Sequence, residues 1–148
     1  MLFSIDVDSD VAIYEQIVHQ VQFAVAGGVL VGGQMVPSVR QLANQLAINP
    51  NTIARAYQEL QAQQVLQPLR GRGLVVRNDA VTRCTQTRNR ILQQGIDAAI
   101  ATAVHSGLAH EDIRQMVTDS MQQQFQTATS VADNMNDKAT GNGAASES

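Results

Sequence analysis

The sequence has few of the residues that usually anchor a large core, and nothing to staple one with. Its 148 residues include no Trp, two Tyr and three Phe, so a core must come from Val, Ile, Leu and Ala, which suits small packed helices. A single cysteine, Cys84, excludes a disulfide scaffold and a cysteine-based zinc site, and makes a reducing compartment, the cytoplasm, the expected location. Long apolar runs are missing as well. The most apolar stretch, residues 23–36, contains four glycines and falls short of the roughly 20 apolar residues a bilayer span needs, so a soluble protein without membrane association is expected. Residues 1–10 hold three aspartates and no basic residue, so no secretory leader is expected either.

Positive charge is absent from the first 39 residues and concentrated in the next 51. The chain's net charge of −3 divides into −4 over residues 1–39, +6 over residues 40–90 and −5 over residues 91–148. Screening confines each field to roughly 8 Å at physiological salt, so an acidic chain with a basic middle can still present a face to a polyanion. All eight cations of the middle third are Arg, whose planar fork suits phosphate oxygens and guanine edges. Glutamine is frequent, at 19 copies, and its clusters at residues 63–64, 93–94 and 122–124 read as helix-tolerant surface.

The pattern of apolar residues predicts a first helix over residues 12–26, with Ile13, Ile17, Val21 and Ala24 at helical spacing and Tyr14, Val18 and Val25 widening the stripe. Gly27 and Gly28 stop it, and a glycine-rich connector leads to Pro37. Ser38-Val39-Arg40-Gln41 has the form of a capping box. It opens a helix to about Ala47 that turns Val39, Leu42, Ala43 and Leu46 inward. Asn49 is a favourable N-cap and Pro50 fits the first helical position. The helix from there to about Gln64 buries Ile53, Ala56, Tyr57 and Leu60, while Asn51, Arg55 and Gln58 point the other way.

Two short helices joined by a tight turn make a helix-turn-helix, whose second helix enters the DNA major groove by its N-terminal residues. Asn pairs bidentately with adenine and Arg with guanine, and a Thr methyl meets that of thymine. Two short apolar runs, residues 65–69 and 74–77, flank Arg70, Gly71, Arg72 and Gly73 and read as a β-hairpin. The fold expected is mainly α (α+β), a winged helix-turn-helix over residues 1–78.

These residues resemble the GntR family of bacterial transcription regulators, in particular its YtrA-like branch. The likeness rests on residues 13–17 (IYEQI), Gly33, residues 37–43 (PSVRQLA), residues 49–60 (NPNTIARAYQEL) and residues 70–73 (RGRG), and covers about residues 5–77. It implies DNA contacts at Ser38, at Arg40, at the start of the recognition helix (Asn49, Asn51, Thr52, Arg55) and at the wing tip (Arg70, Gly71, Arg72, Gly73). The usual Pro-Gly ahead of the helix-turn-helix is Gly32-Gly33 here, which predicts a more flexible connector, and the usual Leu is Val36. Position 54 is Ala where distant relatives place Arg, which shifts base reading onto Arg55 and Asn51.

Residues 79–126 are too short for the large effector domains of most branches, or for an aminotransferase-like fusion. Two amphipathic helices are expected there, broken at Ser106-Gly107. One seam includes Leu92, Ile96 and Ile100, and the other Ile113, Met116 and Val117. Paired across two chains, they would close a bundle and give a homodimer. Residues 127–148 are small and polar, and a disordered tail is expected.

The function expected is a sequence-specific double-stranded DNA-binding transcription regulator, a homodimeric repressor of an inverted-repeat operator. The resemblance adds a neighbouring transporter operon as the target. The alternative is a winged helix used as a protein-interaction module. No catalytic residues, cofactor or metal site are expected, and the effector is left open. His105 and His110 straddle a helix break without a ligand partner, and Cys84 lacks the second cysteine of a thiol switch.

Overall fold

The computed structural model describes residues 3–140, in the order α1 (Ile13–Ala26), α2 (Val39–Leu46), α3 (Pro50–Ala62), β1 (Leu66–Leu69), β2 (Gly73–Val76), α4 (Ala80–His105) and α5 (His110–Thr140). The chain divides into two compact units, residues 1–95 and 96–148. In the first, α1 and α2 both pack on α3, and α3 packs on β1. Their apolar stripes meet in one core: Ile17 and Val21 from α1, Leu42 from α2, Ile53 and Leu60 from α3, and Leu66 and Val76 from the hairpin are all fully buried.

The local signals in the sequence account for the helix starts. At α2 the Ser38 hydroxyl accepts from the Gln41 amide at 3.1 Å, and the Gln41 side chain accepts from the Ser38 amide at 2.9 Å. Asn49 caps α3 by accepting from the Asn51 amide at 2.9 Å, with Pro50 next. Between the two helices Ala47 takes a left-handed conformation (φ 54°), which sets the tight turn.

β1 and β2 are antiparallel, with Leu66 opposite Val76 and Leu69 opposite Gly73. Gly71, at φ 76°, lets the hairpin reverse, and the Arg72 amide closes the turn on the Leu69 carbonyl at 2.8 Å. The Gly32-Gly33 connector, expected to be flexible, is instead tied along β2. The Gly33 amide donates to the Val76 carbonyl at 2.8 Å, the Val76 amide to Gln34 at 2.9 Å and the Val36 amide to Leu74 at 3.1 Å, and Met35 bridges Val75. Gly32 has a steric reason to be there: a Cβ at this position would lie 2.8 Å from the Cα of Asn78.

Two boundaries differ from expectation. The first compact unit runs to residue 95 rather than 78, because Ala80 and Cys84, one turn apart on α4, are buried in the winged-domain core. The disordered tail expected from Thr127 is helical as far as Thr140, while residues 141–148 lie outside the described residues. Composition correctly gave these side chains nothing to bury, and residues 127–137 are all exposed. The backbone satisfies itself nonetheless. The hydroxyls of Thr127, Thr129 and Ser130 each donate to the carbonyl four residues back, and the alanines favour the helix.

At the start of α4, Asp79 accepts from Arg83 Nη2 at 2.9 Å and from Arg77 Nε at 3.0 Å. These hydrogen bonds, from Arg83 first and Arg77 second, hold the Asp79 carboxyl well below the usual carboxylate range. A carboxylate whose pKa is lowered by folding stabilises the fold above its unfolded pKa of about 3.9 and loses that contribution as pH falls further. Asp79→Asn is therefore expected to be less stable than the native chain at pH 7, with the difference shrinking by pH 2.5. Urea unfolding at the two pH values checks it; a difference independent of pH would exclude the carboxylate as its source.

In the second unit, the chain turns between α4 and α5 at Gly107 (φ 84°), with the Leu108 amide donating to the Ala103 carbonyl at 3.3 Å. Glu111 and Asp112 sit in the first turn of α5, where carboxylates suit the helix dipole. Among the described residues, no helix is long and apolar enough to cross a membrane.

Candidate nucleic-acid interface

The cations and polar groups predicted to meet DNA lie on the elements of the winged unit and point outward. Arg40, Asn49, Asn51, Arg55, Arg70 and Arg72 are exposed and Thr52 is half-buried, while Ile53, Ala56, Tyr57 and Leu60 of the same recognition helix are buried. The inward stripe thus anchors α3, and its opposite face is left for a partner.

The structure brings the wing tip to the start of α2. A cleft of about 270 Å³ is lined by Ser38, Gln41, Arg72 and Gly73, with Met35 and Tyr57 among its other walls. The Tyr57 hydroxyl donates to the Pro37 carbonyl at 2.7 Å, fixing the chain ahead of α2 against α3. Burial pushes the Tyr57 hydroxyl pKa up, so it stays a neutral donor. The Ser38 oxygen accepts from the Gln41 amide, which leaves its own hydrogen free to donate. A helix N-terminus, a free hydroxyl and an arginine at one cleft suit an oxyanion such as a backbone phosphate.

Arg55 has a partner that periodicity does not show. Its guanidinium carbon sits 3.8 Å from the centre of the Tyr14 ring, on α1. Stacking occupies one face of the guanidinium and leaves its in-plane N–H donors free to form a bidentate pair. Tyr14, which by spacing only widens the α1 stripe, thus steadies the arginine expected to read a base. Among the described residues, no partner of this kind is seen for Arg40, Asn51 or Arg70, whose side chains are exposed.

The family model "Bacterial regulatory proteins, gntR family" matches residues 13–76, the span from α1 to the end of the wing. The HTH-type transcriptional repressor YtrA of Bacillus subtilis is 30% identical over 118 residues, 80% of this chain and 91% of that protein. The chain belongs to the GntR family. It is a DNA-binding transcription regulator of the YtrA-like type.

Solved structures of GntR-family regulators are similar to this chain. A GntR family transcriptional regulator from Listeria monocytogenes is 33% identical with a TM-score of 0.64, covering 76% of this regulator and 97% of that chain. YtrA from Sulfolobus acidocaldarius, a GntR-family transcription factor, is 26% identical with a TM-score of 0.50, covering 82% and 97%. The relatives are transcription regulators, which is the activity class this chain shares with them.

Proposed function

We propose that this regulator acts as a homodimeric repressor that binds an inverted-repeat operator. In each half-site α3 enters the major groove from its Asn51 end. Asn51, Thr52 and Arg55 meet base edges, while Asn49 caps the helix at the groove. Ser38 and Arg40 hold the phosphate backbone, and Arg70, Gly71, Arg72 and Gly73 form the wing that lies along the adjacent minor groove. The observation that carries this reading is the pairing of an exposed Arg55, steadied on Tyr14, with the cleft that joins Ser38 to Arg72.

Dimerisation is inferred from the second unit. Ile96, Ile100, Met116 and Val117 of this unit are exposed and Ile113 is half-buried; Leu92, also exposed, lies near the end of the first unit. Ile100, Val104, Leu108, Ile113 and Val117 line one apolar cleft that is open to solvent in the single chain. A second copy of the same helices covers it with matching chemistry, and a two-fold dimer reads a palindrome.

Substitutions separate base reading from phosphate anchoring. Arg55→Ala is expected to cost about 1–3 kcal/mol on the operator and much less on random DNA. Arg72→Ala should weaken both to a similar degree. Gel-shift titrations on DNA upstream of the regulator's own gene, with and without competitor, measure the difference. Equal losses on both DNAs for Arg55→Ala would remove it as a base reader.

A further inference from the structure

The wing has an outer face that neither the core nor its arginines account for. Leu69 stands opposite Gly73 in the hairpin, and Met35 stands opposite Val75. Gly73 and Val75, two residues apart on β2, occupy the same side, so the four positions share one face of the sheet. The other face carries Leu66, Leu74 and Val76, which pack into the core. Val75 is covered at 3% exposure, whereas Met35 and Leu69 stand 46% and 41% exposed.

This face is continuous with the cationic tip. Gly73 sits at φ 113°, a conformation that a side chain would strain, and the Met35 methyl rests 3.6 Å from where its Cβ would be. Met35 belongs to the connector ahead of α2, yet its side chain thus reaches the wing tip. With Arg72 and Gly73 it lines the cleft that also holds Ser38. Leu69 directly precedes Arg70, so exposed hydrocarbon flanks both exposed arginines of the tip.

We infer that Met35 and Leu69 are DNA contacts, an apolar pair that packs on the deoxyribose edges of the minor groove while Arg70 and Arg72 take the neighbouring phosphates. The walls of that groove are sugar hydrocarbon between charged groups, and proteins that enter it combine cations with apolar side chains. The contact rests on the DNA-binding reading of the wing and adds to it a part of the affinity that salt does not screen, because hydrocarbon displaces no counterions.

Filter binding of the full chain to the DNA upstream of its gene and to random duplex, each over a salt series, tests the pair. Met35→Gln combined with Leu69→Gln leaves the charge alone and sets polar groups where hydrocarbon would meet sugar. Affinity is expected to fall about ten-fold or more on both DNAs, with the slope of log K against log salt unchanged. Leu69→Gln alone, expected to cost about three-fold, repeats the test without altering the packing of Met35 on Gly73. Met35→Leu keeps the hydrocarbon and should bind as the native chain does. Native affinity in both Gln variants would overturn the contact and leave the face to a protein partner. A shallower slope would overturn it too, by tracing the loss to displaced arginines. A native chain that binds no duplex at about 50 mM salt would instead overturn the DNA reading of the wing, and this contact with it.

Discussion

A chain carrying both Ile100→Asp and Val117→Asp is expected to sediment as single subunits and to bind its operator about 10²–10⁴-fold more weakly. The two residues, on α4 and α5, line one apolar cleft of about 510 Å³ with Val104, Leu108 and Ile113. Both are only partly covered, at 37% and 39% exposure, so in a lone chain the carboxylates meet water and cost little. Buried between two chains, they would meet hydrocarbon and each other's charge, which costs several kcal/mol per unpaired group. A monomer that holds one half-site forgoes the effective concentration supplied by the linked second site. Sedimentation velocity reads the first effect and operator titration the second. Because Ile53, Leu60 and the rest of the winged-unit core are untouched, its unfolding transition should remain. A variant that stays dimeric, or monomers that bind as tightly as the native chain, would remove the bundle from the account.

The second large effect is that of salt. If Arg40, Arg70 and Arg72 of both subunits displace counterions, the slope of log K against log salt is about −5. Raising salt from 50 to 200 mM then lowers affinity by about 10³-fold. A filter-binding series at four or five concentrations gives the slope directly. Arg72→Ala should reduce its magnitude by about two for the dimer, one contact per subunit. A slope near zero would instead favour the reading in which the winged unit docks on protein, since uncharged contacts release few ions. Segregation of charge makes the steep slope the expected result: the +6 of residues 40–90 sits in a chain whose total is −3.

Much of this was legible in the sequence because helix starts are written locally. The Ser38–Gln41 box, the Asn49 cap with Pro50 and the inward stripe of α3 need only a few neighbouring residues to specify them, and the structure contains each. Long-range features left no such trace. The Arg55–Tyr14 stack joins helices 41 positions apart in the chain. Backbone hydrogen bonds tie Gly33 and Val36 to β2 whatever their side chains, so the connector read as loose from its glycines. Ala80 and Cys84 are small and modestly apolar, weak marks in a periodicity reading, yet they complete the core. From Thr127 onward, side chains with nothing to bury gave no periodic signal, yet the backbone there is helical as far as Thr140.

The position of Cys84 turns the chain into its own reporter. As the lone sulfhydryl it gives one labelling signal per subunit, and at 1% exposure, with its pKa raised by burial, it reacts only when the packing of α4 opens. The rate of modification by a chromogenic disulfide therefore measures how often that helix lifts from the winged unit. The measurement needs no tag or engineered probe.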